Sequence, residues 1–162
     1  MSMNAMQQLS TILQSEISNS TALASLLKQE RDALKISDVN KVSEITKLKQ
    51  PYLLKLEQLA RQREQLLSAV GFPAGKSGLE AFIANQEEAD ATRMSMQVSR
   101  LREVAKTCRE FNQINGGIIN VNRQYLTRAL SILRGRDPET GAYGPGGEYT
   151  SQIVRQPLIG RV

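Results

Sequence analysis

The sequence predicts an all-α fold: an antiparallel bundle of three long helices with a short connecting helical turn and an irregular C-terminal tail. Three observations predict it. Apolar residues recur at spacings of three and four along three long segments, which places them on one face of a helix. Gly and Pro cluster at residues 71–78 and again after Gly135, and are sparse elsewhere. At 162 residues the chain suits one domain, and with aromatics at 4% its core must come from Leu, Ile, Val, Ala and Met.

The first helix is expected from about Ala5 to Leu34, a stretch without Gly or Pro. Its apolar positions are Met6, Leu9, Ile12, Leu13, Leu23, Leu26, Leu27, Ala33 and Leu34. Ser37, Asp38 and Asn40 follow, and their short polar side chains suit a turn and the cap of a second helix. The second stripe reads Val42, Ile45, Leu48, Tyr52, Leu56, Leu59, Leu66 and Val70. Pro51 interrupts it. Proline has no N–H to bond four residues back, so a kink near Lys47 or a short break is expected, and the stripe's return in phase favours the kink.

Gly71-Phe72-Pro73-Ala74-Gly75-Lys76-Ser77-Gly78 resembles a phosphate-binding loop at a glance. The Walker pattern needs four residues between its first Gly and Gly-Lys-Ser, whereas three separate Gly71 from Gly75. It also needs a preceding strand, and a helical stripe precedes this segment. A helix stop and restart is the better reading, with Ser77 and Glu80 as a capping box.

No proline occurs from Gly78 to Arg134. One seam there runs through Met94, Val98, Leu101, Ala105 and Cys108. A column at sevens runs through Val104, Phe111, Ile118, Tyr125 and Ile132, flanked by Ile119, Leu126 and Leu133. The heptad column crosses Gly116-Gly117 without a phase shift, so a continuous helix is expected despite a cost of about 2 kcal/mol relative to two alanines. The glycines would then allow close backbone approach. Residues 136–162 are Gly- and Pro-rich and without periodicity, which divides the chain into a helical domain at 1–135 and a tail at 136–162. Tyr143, Tyr149, Ile153, Val154, Leu158 and Ile159 suit either a docking element or packing back on the bundle.

The composition narrows the function. The chain has no His and no Trp, and Cys108 is its one cysteine, so His-dependent catalysis, histidine metal sites, intrachain disulfides and CxxC pairs are excluded. Glu87, Glu88 and Asp90 are neighbours around a helix and do not converge. No catalytic residue, metal site or cofactor is expected, and the chain is not read as an enzyme. The formal charge of +5 resides in residues 1–135, where cations alternate with carboxylates, as in Glu57 with Arg61, or Arg102 with Glu103 and Lys106. That is a solvated helix face, not a nucleic-acid footprint. The amino terminus lacks the basic leader and apolar run of a secretory signal, and no apolar run approaches the length of a membrane span, so a cytoplasmic location is expected.

Surface recognition remains. Met94, Met96 and the broad arc from Val104 to Leu133 suit the capture of an amphipathic helix, and equally suit a helix packed between two neighbours. Asn112, Asn115 and Asn122 lie along this region, where amides fix register or bond an incoming backbone.

The residues resemble the FlgN-type flagellar export chaperones as far as about Gly147. The similarity lies in Gln29-Glu30-Arg31-x-Ala33-Leu34 with Asp38, then Lys49, Leu53, Leu56, Leu59, Arg63, Leu66-Leu67 and Gly71. It continues in Cys108-Arg109, Asn112-x-x-Asn115-Gly116, Arg123, Ala129-Leu130, Leu133 and Gly135, and ends at Tyr143-Gly144 and Gly147. Pro51 and the Gly116-Gly117 pair depart from the family pattern. The resemblance implies a cytoplasmic chaperone that binds the amphipathic C-terminal segments of the hook-filament junction proteins FlgK and FlgL and delivers them to the type III export gate. Val104, Phe111, Asn112, Ile114, Asn115, Ile118, Val121 and Tyr125 are then the candidate client surface. Tyr143 matches a family tyrosine implicated in docking on the gate protein FlhA. The alternative is a non-enzymatic coiled-coil adaptor whose broad arc is a homo-oligomer seam; the oligomeric state is left open.

Overall fold

The computed structural model describes residues 3–134, and among them all regular structure is helical. Four helices follow in order: α1 (Ala5–Lys35), α2 (Val39–Ala69), α3 (Lys76–Ala84) and α4 (Glu88–Leu133). The expected tail at 136–162 lies outside the described residues. The chain divides into two units, Met1–Asn115 and Gly116–Val162, taken in turn below.

Asn4 starts α1 with a reciprocal cap. Its Oδ1 accepts from the Gln7 N–H at 2.8 Å, and Gln7 Oε1 accepts from the Asn4 N–H. The chain leaves α1 through Ser37, whose φ of +56° turns it sharply. The Asp38 carboxylate then accepts the Lys41 N–H at 3.0 Å and opens α2, as its short acidic side chain predicts. Helix α2 is assigned without a break through Pro51. Lys47 and Pro51 are both exposed, so water can satisfy the carbonyl that proline leaves unbonded.

After α2, Gly71 and Gly75 adopt φ of +86° and +89°, which L side chains resist. The expected capping box at Ser77 and Glu80 does not form. Glu64 holds the Gly75 N–H at 2.8 Å, Gly75 becomes the N-cap, and the helix starts at Lys76, leaving Ser77 inside the first turn. Gly78 is fixed there by space: a Cβ would sit 1.6 Å from the Pro73 carbonyl oxygen. The segment is thus a packed helix-to-helix connection. The short α3 directs Leu79, Phe82 and Ile83 inward, with the Phe82 ring edge-on to Phe72 at 5.4 Å.

Two clusters form the core of the first unit. One joins Leu9 and Leu13 of α1, Leu67 of α2, Leu79, Phe82 and Ile83 of α3, and Met94 and Val98 of α4. The other joins Leu23 and Leu27 of α1, Leu56 of α2, and Val104 and Cys108 of α4. Each fully buried Leu is worth about 1.5–3 kcal/mol, so this apolar seam dominates the stability. Polar partners reveal its register. Glu16 meets Arg63, and two heptads further along α1 Glu30 meets Lys49, two heptads earlier on α2, so the two helices run in opposite senses. Ser10 meets Gln97, Ser20 meets Cys108 and Leu27 meets Asn115, so α4 follows α1 in the same sense.

The seam differs from the expected stripes at several positions. In α1 the inward positions are Leu9, Leu13, Glu16, Ser20, Leu23, Leu27, Glu30 and Leu34, alternating steps of four and three. In α2 the matching positions are Ile45, Lys49, Tyr52, Leu56, Leu59 and Arg63, ending in a partly buried Leu66 and a fully buried Leu67. Lys49, not Leu48, belongs to the seam, because Glu30 waits opposite; Leu48 and Val70 face solvent.

Of the second unit, the described residues are the last four or five turns of α4, Gly116 to Arg134. The helix is continuous across Gly116-Gly117, as expected. The expected close approach is absent, since a Cβ on either glycine would meet no atom within 4 Å.

Candidate partner-binding surface

The candidate residues on α4 fall into two groups. Val104 belongs to the second core cluster, and Asn115 is 1% exposed. The Asn115 side-chain amide donates to the Leu27 carbonyl and to Glu30 Oε1, both at 2.9 Å. An amide that bonds a backbone carbonyl of the neighbouring helix fixes the register of that pair. The other oxygen of Glu30 accepts from Lys49 Nζ at 2.5 Å, so a single carboxylate joins α1, α2 and α4. Phe111 is half-buried, with the Arg31 guanidinium over its ring at 5.0 Å. Asn112 is half-buried and Ile114 is exposed.

Beyond Asn115, Ile118 is half-buried, whereas Val121 and Tyr125 are exposed, Tyr125 to 66%. Ile119, Leu126, Leu130, Ile132 and Leu133 are exposed with them. Of the two methionines, Met94 is wholly buried in the core and Met96 faces solvent. Tyr143, the expected gate-docking residue, lies outside the described residues.

The sequence reading missed the charged residues inside the seam. Arg63 Nη1 reaches both Glu16 oxygens, at 2.5 and 2.7 Å. Burial pushes the Glu16 carboxyl above its ordinary value, and the Arg63 charge and hydrogen bond pull it back. Carrying the four-and-three spacing through the polar interruptions of α1 and α2 would have found Glu16, Glu30, Lys49 and Arg63. On the surface, Glu57 pairs with Arg61 as expected, while Arg102 turns to Glu80 instead of Glu103. Cys108 is buried and donates to the Ser20 carbonyl, and burial raises its thiol pKa. Among the described residues no three His, Cys, Asp or Glu side chains are grouped to hold a metal ion. No helix among them is long and apolar enough to cross a membrane.

What remains distinctive is a long helix whose first half is locked by polar register contacts and whose last turns carry exposed apolar residues. The family model for FlgN protein matches residues 1–151. The chain belongs to the FlgN family. A crystal structure described as a candidate flagella synthesis protein FlgN from Pseudomonas aeruginosa shares the fold, with a TM-score of 0.65 and 24% identity. That match covers 74% of this chain and 91% of the other. Comparison with curated proteins gives no match. Within this FlgN-family chain, the buried Asn115 and Glu30 account for residues that the resemblance had singled out by order alone.

Proposed function

We propose that this chain is a cytoplasmic export chaperone for flagellar junction proteins, its three long helices forming an antiparallel bundle that presents the end of α4 to a client. The clients are FlgK and FlgL, held by their amphipathic C-terminal segments and passed to the gate protein FlhA. One observation carries the reading: from Ile118 to Leu133 the helix keeps an apolar column at heptad spacing with almost every member exposed. Such a face suits an amphipathic helix made to polymerise, and covering it needs no nucleotide. Family membership and the fold shared with a protein described as acting in flagella synthesis support the setting.

Ile114, Ile118, Val121 and Tyr125 supply the contact in this reading, with Phe111 and Asn112 at its inner end. Val104 and Asn115 act from inside, holding α4 in register against α1. Ile118→Asp is expected to weaken capture of a client C-terminal peptide at least tenfold in calorimetry, since burying Ile is worth about 1.5–3 kcal/mol and tenfold is about 1.4. Unchanged affinity with helicity retained refutes the assignment. Tyr143→Ala should spare client binding and weaken FlhA docking. The same exposed arc also suits a coiled-coil homo-oligomer, and a solution mass showing a stable oligomer that closes the arc would favour that adaptor role instead.

A further inference from the structure

On a helical wheel at 3.6 residues per turn, the apolar side chains from Ile118 to Leu133 occupy about half the circumference. The strip runs from Val121 at one edge to Leu130 at the other, and Asn122 is the one polar residue inside it. Ile119, Val121, Tyr125, Leu126, Ile132 and Leu133 are all exposed. Arg128 borders the first edge, and Arg123 and Arg134 border the second. Asn120, Gln124, Thr127 and Ser131 fill the opposite face, so every charge of these turns stands at a margin of the strip.

The charge is of one sign. From Phe111 to Arg134 there is no carboxylate, so these turns hold three of the chain's net five positive charges. Earlier in α4 the cations sit with carboxylates, Arg100 with Glu103 and Lys106 with Glu110. Beyond Arg134 the sequence is balanced, with Arg136, Arg155 and Arg161 against Asp137, Glu139 and Glu148, and leaves the surplus on α4 standing. Width selects among anionic partners. A coiled-coil partner covers the narrow seam of an a and d stripe, whereas a flat apolar boundary meets about half of a helix lying on it. Arginines at both margins can lay their stems along the apolar side and turn their guanidinium groups to a plane of phosphates.

We propose that residues 118–133 of α4 bind an anionic phospholipid surface, with the strip at the acyl boundary and Arg123, Arg128 and Arg134 on the lipid phosphates. The helix lies on the bilayer and does not cross it. Each arginine near such a surface is worth about fivefold in affinity, so the three together supply on the order of a hundredfold. A protein partner of the strip must displace the lipid. The inference goes beyond client capture and holds whichever protein the strip takes.

The test uses the full chain with Tyr125→Trp, which gives a single indole because the sequence has no Trp. Its emission should shift to the blue with vesicles of phosphatidylglycerol and phosphatidylcholine in equal parts, and bind vesicles of phosphatidylcholine alone on the order of a hundredfold more weakly. Arg123→Gln with Arg128→Gln should weaken the anionic vesicles about thirtyfold. Ile119→Ser with Leu126→Ser should weaken them at least tenfold, with helicity retained, since both side chains are exposed and outside the core. No shift with anionic vesicles overturns the proposal, as does equal binding to both compositions or binding that survives the two serines. An acidic amphipathic peptide that shifts the emission where anionic vesicles do not also overturns it, by assigning the strip to protein. So does a sedimentation mass showing that the chain pairs and shields the indole without lipid. No client is present in these mixtures, so their outcome is separate from that of client capture.

Discussion

Arg63→Met tests the buried charge pair. The Glu16 residue is 4% exposed, and its two oxygens take the same Arg63 nitrogen, so the substitution strands a carboxylate in the seam. Breaking a buried pair from one side costs about 3–5 kcal/mol, and the lower end applies because the Arg63 side chain is about one-fifth exposed. A loss of about 3 kcal/mol lowers the melting temperature by about 10 °C in a chain of this size. The pH dependence has a definite sign. Burial holds the folded Glu16 carboxyl above its ordinary 4.5, so its ionisation costs the folded state, and stability from this group falls as pH climbs from 4.5 through the folded value. Removing Arg63 removes both influences that lower that value and widens the window. Urea unfolding followed by circular dichroism should therefore show a larger deficit, relative to the parent, at pH 7 than at pH 4. Glu16→Leu added to Arg63→Met should recover most of the loss, because an apolar pair of similar volume replaces a buried ion pair at little cost. A variant as stable as the parent at pH 7, or a deficit equal at both pH values, refutes the reasoning.

Asn115→Ala removes both hydrogen bonds from the α4 side and leaves Glu30 with Lys49 alone, which should cost about 1–3 kcal/mol in the same unfolding assay. Gly116→Ala with Gly117→Ala should raise helix stability by up to about 2 kcal/mol, since no atom stands where the new methyl groups go; slower amide exchange across residues 112–121 is the readout. Cys108 should resist a thiol reagent under native conditions, because burial raises its pKa and shields it, and should react at a rate that tracks global unfolding in mild urea.

Much of the fold was legible because it rests on local signals. The start of α1 follows from an unbroken stretch after Asn4, that of α2 from Asp38, and the connection between α2 and α3 from Gly71 and Gly75, which take positive φ. Leu48 was misread because an apolar residue beside a lysine attracts the seam on hydropathy alone, whereas Lys49 is drawn inward by a carboxylate on another helix. Glu16 and Arg63 escaped for the same reason: each looks like a solvated charge until its partner, far away in sequence, is known. The Ser77 cap failed because Glu64, on the preceding helix, had already fixed where α3 begins. Within the candidate surface the heptad column was legible. The inward turn of Val104 and Asn115 was not, since burial depends on where α1 passes.

The carboxylate of Glu30 has a consequence for the order of assembly. Its Lys49 partner lies on the helix that follows directly in sequence, so a hairpin of α1 and α2 already neutralises it. The other oxygen waits for Asn115, which arrives only with α4. The hairpin is therefore a tolerable stopping point with one acceptor still bonded to water, and drying that oxygen is the event that marks α4 as home. Refolding followed separately by amide protection in α2 and in residues 104–115 should show the first ahead of the second.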